Sequence, residues 1–421
     1  MGSRSGLRRW RTAPVALALA IGATGAAVGV AGQVLSAAPA AAAGAPASWR
    51  LTWSDEFTGQ GGTAPDASRW RYDTGGGGWG NAELEYYTGN RNNSYLDGAG
   101  NLVIQARQDD AAQYSCWYGT CRYTSARLLT AGTFSQAYGR FEARIQIPRG
   151  QGMWPAFWAL GNNIGSVGWP ASGEIDVMEN IGREPASVHG SLHGPSFDTT
   201  STYTLPGGAF ADGFHTFAAD WYPDHISFSV DGQVYDTRYR AASGSGWVFD
   251  HPFFLLLNVA VGGNWPGSPD GSTSFPQRML VDYVRVYAPA SPTTAATGQI
   301  TGIGGRCVDV NGANTANGTA VQLYDCNGTA AQNWTMGTDG TIRALGKCMD
   351  VTGAGTANGT PVQLYDCNGT GAQQWLVESN GQLFNPNSGR CLDATNNSSA
   401  NLTRLQVWDC YGSGNQTWNV P

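Results

Sequence analysis

The sequence predicts two all-β domains in tandem, a β-sandwich or β-jelly roll followed by a closed threefold barrel. Three observations carry this. Up to residue 288 the chain is a succession of short alternating or β-branched segments separated by Gly, Pro, Asn and Asp, with almost no helical periodicity. After residue 298 one segment occurs three times, with a period a little over forty residues. Between them "YAPASPTTAATG", residues 287–298, is rich in Pro, Ala and Thr and has no hydrophobic period, as a linker does. A chain of 421 residues also exceeds what one core usually supports.

Residues 1–43 read as a secretion signal. Arg4, Arg8, Arg9 and Arg11 form a basic start, "APVALALAIGATGAAVGVAG" is apolar, and "SAAPAAAAGA" offers Ala-x-Ala cleavage sites. The Arg8-Arg9 pair fits the twin-arginine route, but the rest of that motif is weak, so Sec export stays open beside it. No other apolar run reaches bilayer length, so a secreted protein without a membrane anchor is expected, and we take it as a monomer. The net charge is −7 and no basic run follows the signal, which argues against nucleic acid as a partner. Sixteen Trp and seventeen Tyr tilt the expectation toward carbohydrate, because aromatic faces pack on the C–H faces of sugar rings.

Within residues 44–288, "NLVIQARQ", "GRFEARIQIP", "HISFSVDGQVY" and "MLVDYVRVY" read as strands, with Asp231-Gly232 turning a hairpin. Cys116 and Cys121 bracket the short loop "CWYGTC". The remaining cysteines form Cys307–Cys326, Cys348–Cys367 and Cys391–Cys410, each pair nineteen apart. No CxxC or His spacing accompanies them, so four local disulfides in an oxidising compartment are the reading, not a zinc site.

The stretch "GEIDVMEN", residues 173–180, sets Glu174, Asp176 and Glu179 within six positions of a chain with only 13% charged residues. In an unbroken strand side chains alternate faces, so Glu179 leaves the face that Glu174 and Asp176 share. One extra residue, a β-bulge at Val177 or Met178, returns Glu179 to it. Such crowding of like charges gains nothing on a surface strand, and no cation lies between Arg149 and Arg183. A retaining glycosidase does need it: one ionised carboxylate as nucleophile and one protonated acid. With the bulge, Glu174 and Glu179 stand about 13 Å apart along the strand, and a curved sheet must lean them together. Asp176 is placed to hydrogen-bond the nucleophile. A solvated acidic edge or a calcium site competes with this reading. "GMWPAFWALG" before the acids and "VAVGGNWPG" after them supply Trp154, Trp158 and Trp265 as sugar platforms. His189 and His193 have ligand-like i,i+4 spacing, but "HGSLH" reads as a strand, where that spacing keeps them apart. "GGGGWG" lacks the Lys-Ser/Thr of a phosphate loop and reads as a flexible edge.

The three repeats, "CVDVNGANTANGTAVQLYDCNGTAAQNW", "CMDVTGAGTANGTPVQLYDCNGTGAQQW" and "CLDATNNSSANLTRLQVWDCYGSGNQTW", each end in Gln-x-Trp. A closed ring of three has no uncapped ends, and Trp334, Trp375 and Trp418 are its expected shared core. This pattern resembles the ricin-type β-trefoil, carbohydrate-binding module family 13, over residues 299–421. The resemblance implies sugar sites at Asp309, Gln322 and Tyr324, at Asp350, Gln363 and Tyr365, and at Asp393, Gln406 and Trp408. Asn415 and Gln416 complete the third, whereas Ala331 and Ala372 replace that Asn in the first two lobes, with Asn327 and Asn368 as substitutes.

Glu-x-Asp-x-x-Glu, with "MWPAFW" before it and "GGNWPG" after it, resembles the laminarinase branch of glycoside hydrolase family 16 over residues 49–288. The resemblance implies endo-cleavage of β-1,3-glucan with retention. Glu174 maps to the nucleophile, Asp176 to its assisting residue and Glu179 to the general acid/base. Lichenase-type members lack the extra residue, so Met178 favours β-1,3-glucan over strictly mixed-linkage substrates. It also implies that Asn81, Trp154, Trp158, His193 and Trp265 line the cleft, and that Glu56 and Asp282 contribute to a structural calcium site. No cofactor is expected for the chemistry. The expectation is a secreted endo-β-1,3-glucanase held on polysaccharide by its C-terminal module across a flexible linker at 289–298. The alternatives are a hydrolase or transglycosylase of the same fold acting on mixed-linkage β-1,3-1,4-glucan or a galactan, and a non-catalytic β-glucan-binding protein.

Overall fold

The computed structural model describes residues 49–289, 295–378 and 380–421. The proposed export segment and the middle of the linker lie outside the described residues. Both domains are all-β: the two α-helices among the described residues, Ile164–Val167 and Arg240–Ser243, are four residues each. No helix among them is long and apolar enough to cross a membrane.

The first domain is a jelly-roll sandwich of two antiparallel sheets. One sheet runs, edge to edge, Phe197–Thr204, Ser187–Gly194, Glu174–Glu179, Met153–Gly161, Phe253–Val261, Arg127–Leu129 and Arg71–Asp73. The other contains the strands anticipated from sequence: Leu102–Ala106, Gly139–Gln146, His225–Val230, Gln233–Tyr239 and Gln277–Pro289. Asp231 and Gly232 turn the expected hairpin with φ of 50° and 80°, between the paired Val230 and Gln233. Phe157, Ile175, Met178, Leu192, Leu257 and Val259 of the first sheet meet Phe141, Ile145, Phe217, Trp221, Val281 and Val286 of the second in one buried cluster. Alternation along Met153–Gly161 then leaves Trp154, Ala156, Trp158 and Leu160 on the opposite face, where the cleft lies.

The second domain is the β-trefoil. Its hairpins Cys307–Val310/Thr319–Tyr324, Lys347–Val351/Thr360–Tyr365 and Arg390–Ala394/Leu405–Trp408 pair internally, and the second strand of each contacts that of the next. The Leu323 N–H donates to the Thr403 carbonyl and the Leu402 N–H to the Leu323 carbonyl, which closes the circle. The three Trp residues are buried, and each indole N–H donates to a backbone carbonyl: Trp334 to Val308 (2.8 Å), Trp375 to Met349 (3.1 Å) and Trp418 to Leu392 (3.1 Å). A second threefold device sits at the lobe boundaries. Asn317 donates to Asp366, Asn358 to Asp409 and Asn401 to Asp325, at 2.7, 2.7 and 2.6 Å. The repeated Ala-Asn-x-Thr and Asp-Cys pairs of the sequence are thus seams that stitch each lobe to its neighbour. All four anticipated disulfides are present.

The linker is shorter than the sequence predicts. Strand Gln277–Pro289 runs into its start, and Ala296–Gly298 at its end pairs with Trp334–Met336 inside the trefoil. The two domains also belong to one compact unit and touch: the Tyr239 hydroxyl donates to Gln382 Oε1 at 3.2 Å.

Candidate active site

The acidic cluster lies on the central part of the seven-stranded sheet, and its geometry comes from one irregularity. Glu179 pairs with Ala156, Met178 with Phe157, and Asp176 with Trp158, so Val177 is the extra residue of a β-bulge. The same slip occurs on the other edge, where Asp176 faces Ser191 and Glu179 faces His189. Val177 and Met178 both turn into the core, while Glu174, Asp176 and Glu179 all line one cleft of about 630 Å³. Two successive apolar side chains drive the bulge, because each gains by burial and a regular strand would expose one of them.

Each acid has its own partners. Trp169 donates its indole N–H to Glu174 Oε2 at 3.0 Å, and Trp154 donates to Glu179 Oε1 at 2.9 Å. His193 Nε2 stands 3.0 Å from Asp176 Oδ2 and 4.0 Å from Glu174 Oε1, and its Nδ1 is 3.1 Å from Asp198. His189 instead hydrogen-bonds Thr202 and approaches Glu184, so the two histidines have separate partners and form no joint metal site.

Burial pushes all three carboxyls up. Glu174 is raised to about 8, by desolvation first and then by the charge of Asp176, against the opposing pull of His193, the Trp169 N–H and Arg127. Asp176 is also raised to about 8 by desolvation, with a hydrogen bond to Glu174 working the other way. Glu179 is held well above the ordinary carboxylate range by burial and then by the charges of Asp176 and Glu174. The three carboxyls share one buried field and do not titrate independently, and burial beside two other acids favours the protonated form of Glu179. Three raised carboxyls thus share one cleft, and ionising any one of them makes its neighbours hold their protons more tightly.

These buried acids weaken the fold as pH rises. Between the usual Glu range and the raised folded value, the unfolded chain has lost a proton that the folded chain retains, so stability falls with pH. Glu179→Gln preserves the Oε1 acceptor for Trp154 and removes the share of that slope that Glu179 contributes. It is expected to melt at nearly the wild-type temperature at pH 4.5 and several degrees higher at pH 8, about 2–4 °C for each kcal/mol relieved. Calorimetry at the two pH values checks this; an unchanged difference between them would show that Glu179 is not a strained buried acid.

The cleft walls include Asn81, Trp154, Trp158, His193 and Trp265, the five residues anticipated there. Asn81 donates to Glu83 at 3.2 Å, and Trp265 meets Trp154 edge to face at 5.5 Å. Gly262 and Gly263, with φ of 72° and 117°, permit the turn that brings Trp265 in. Trp158 is less free than a bare platform. Its indole donates to Asn258 at 2.7 Å, and the Arg127 guanidinium sits 4.7 Å from its ring and 4.8 Å from that of Trp79. Arg127, Trp79, Trp169, Asn258 and Asp198 are cleft residues that the sequence reading missed. They come from remote segments; only Trp169, five residues before Glu174, offered a local signal.

In the trefoil, each Asp is locked by amides. Asp309 accepts from Gln322 and Gln332, both at 3.1 Å, and Asp350 accepts from Gln363 (2.8 Å) and Gln373 (2.9 Å). Asp393 accepts from Gln406 (2.9 Å), Asn415 (2.7 Å) and Gln416 (3.0 Å). Tyr324 is half-buried, while Tyr365 and Trp408 stand exposed beside their lobes' acids. Asn415 and Gln416 face inward. Both are buried, and their amide donors go to Asp393 and to the carbonyls of Asp409 and Ala394. They hold the acid in place, as the equally buried Gln332 and Gln373 do in the other lobes.

Glu56 and Asp282 do not fit a calcium site. Glu56 takes both arms of the Arg285 guanidinium, at 2.9 and 2.7 Å, and Asp282 pairs with Arg144 at 2.6 Å. Each charge already has a cation of its own.

Comparison with known proteins agrees with this geometry. Residues 81–285 match the family model for glycosyl hydrolases family 16, and residues 296–418 match that for the ricin-type beta-trefoil lectin domain. A beta-glucanase from Rhodothermus marinus is 42% identical over 256 residues, spanning 57% of this chain and 85% of its own. A glucan endo-1,3-beta-glucosidase from Cryptopygus antarcticus is 37% identical, spanning 58% of this chain and 93% of its own. The X-ray structure of an endo-beta-1,3-glucanase from Pyrococcus furiosus superposes with a TM-score of 0.54 at 48% identity, covering 57% of this chain and 94% of that one. The chain is a glycoside hydrolase of family 16 that carries a ricin-type β-trefoil lectin domain behind its catalytic sandwich.

Proposed function

We propose that the protein is a secreted, retaining endo-β-1,3-glucanase that its trefoil holds on insoluble glucan. The observation that carries the reading is the bulge at Val177, which sets Glu174 and Glu179 on one face of a Trp-walled cleft. Glu174 attacks the anomeric carbon while Glu179 gives its proton to the departing glycosidic oxygen. Glu179, now ionised, takes a proton from water, which releases the sugar from Glu174. Asp176 and His193 orient Glu174 and govern its charge. Trp154, tied to Glu179, couples the sugar platform to the acid. The β-1,3 linkage is inferred from the relatives' activities together with the extra strand residue, which the pairing puts at Val177.

Product analysis on a panel of polysaccharides tests this. Soluble β-1,3-glucan should release a ladder of oligosaccharides from the outset, with galactans left intact. Faster cleavage of mixed-linkage glucan or galactan would reassign the polymer. Longer products accumulating at high oligosaccharide concentration would make it a transglycosylase. Binding with no cleavage of any polymer would leave a glucan-binding protein.

A further inference from the structure

Where the trefoil meets the catalytic domain, three ionisable side chains converge. Asp224 lies in the turn between strands His215–Trp221 and His225–Val230, and His225 opens the second of these. Glu378 comes from the third lobe of the trefoil, just after the strand Leu376–Val377. Their side chains are 6%, 0% and 0% exposed. His225 Nδ1 is 3.0 Å from Asp224 Oδ1 and 3.7 Å from Glu378 Oε2, and the three ligand atoms all lie within 4.8 Å of one another.

This cluster is short of positive charge. Both carboxylate oxygens of Glu378 are buried without a hydrogen-bond partner. Among the described residues no Lys or Arg pairs with Asp224 or Glu378; the nearby Arg240 pairs with Asp250. Two buried carboxylates facing one imidazole need a compensating cation or proton. The sulfur 3.9 Å from Asp224 belongs to Cys391, whose disulfide to Cys410 removes it as a ligand.

The spacing matches a metal. Tetrahedral zinc with bonds of about 2.0–2.1 Å separates its ligand atoms by about 3.3 Å, and the two distances from Nδ1 bracket that value. One imidazole and two carboxylates suit a borderline divalent ion, and two negative charges neutralise it. The ligands are also held before any ion arrives. The imidazole is stacked on Tyr222 at 4.8 Å and flanked by Tyr239 at 5.3 Å, and the Asp224 carbonyl accepts from the Arg240 N–H at 2.6 Å. We infer that Asp224, His225 and Glu378 form a binding site for a divalent transition-metal ion of the zinc class, which pins the third trefoil lobe to the catalytic sandwich.

The test uses the full-length secreted chain, freed of metal by chelator and titrated with zinc chloride. Wild type and Glu378→Gln are compared by native mass spectrometry and by melting temperature. The cleft cluster of Glu174, Asp176 and His193 is common to both, so its own affinity for zinc cancels in the comparison. Wild type should bind one more zinc per chain than the variant and gain melting temperature with zinc where the variant does not, with equal activity on soluble glucan when zinc is absent. If Glu378→Gln fails to fold, Asp224→Asn serves in its place. Equal stoichiometry and equal thermal response would overturn the inference. The same result with a variant more stable than wild type would assign the cluster to a proton shared between the Glu378 and Asp224 carboxyls.

Discussion

Replacing Glu174 by Gln is expected to lower kcat on soluble β-1,3-glucan by on the order of 10⁴-fold or more, with the fold and trefoil binding unchanged. Gln retains the acceptor for the Trp169 N–H and the side-chain volume, so the loss reports missing nucleophilicity alone. Azide then distinguishes the two glutamates. In Glu174→Ala, a small anion entering the vacated space attacks the anomeric carbon directly, and the product is the α-glycosyl azide. In Glu179→Ala, tested with an activated leaving group, azide attacks the sugar already bonded to Glu174 and yields the β-glycosyl azide. Product configuration read by NMR decides. The same anomer from both variants, or near-normal turnover in Glu174→Gln, would remove the two-step assignment.

The second large effect concerns the trefoil. Tyr324, Tyr365 and Trp408 stand at equivalent places in the three lobes. Changing all three to Ala removes the sugar-stacking faces while leaving each lobe's Asp and its amide donors in place. Activity on insoluble β-1,3-glucan is expected to fall on the order of 10²-fold, because attachment through the trefoil raises the local concentration of substrate. Hydrolysis of soluble oligosaccharides should hardly change. Equal losses on both substrates would show that the trefoil supports the catalytic domain structurally instead of targeting it. Deletion of residues 289–421 is the poorer experiment, since it also bares Tyr239, Asp224 and His225, which the trefoil covers.

The two kinds of information divide cleanly along the molecule. Sequence by itself determined the elements whose signals are local or periodic. Alternation and turn chemistry marked the strands, the spacing of nineteen marked the trefoil disulfides, and repetition marked the ring, since three equivalent lobes leave little alternative to closure. The acid cluster was legible because strand parity is arithmetic: an acid at the wrong parity beside two apolar residues calls for a bulge, and Val177 provides it. What escaped were contacts between segments distant in sequence. Arg127 reaches the cleft only because its strand lies beside Phe253–Val261, and it then stacks between Trp79 and Trp158. Gln416 carries the residue type of a sugar ligand, yet burial turns its amide inward to hold Asp393. The junction of Asp224, His225 and Glu378 has no sequence signature at all, since His225 and Glu378 are 153 positions apart. Charge pairing deep in a protein depends on which surfaces lose water together, and only the tertiary structure decides that.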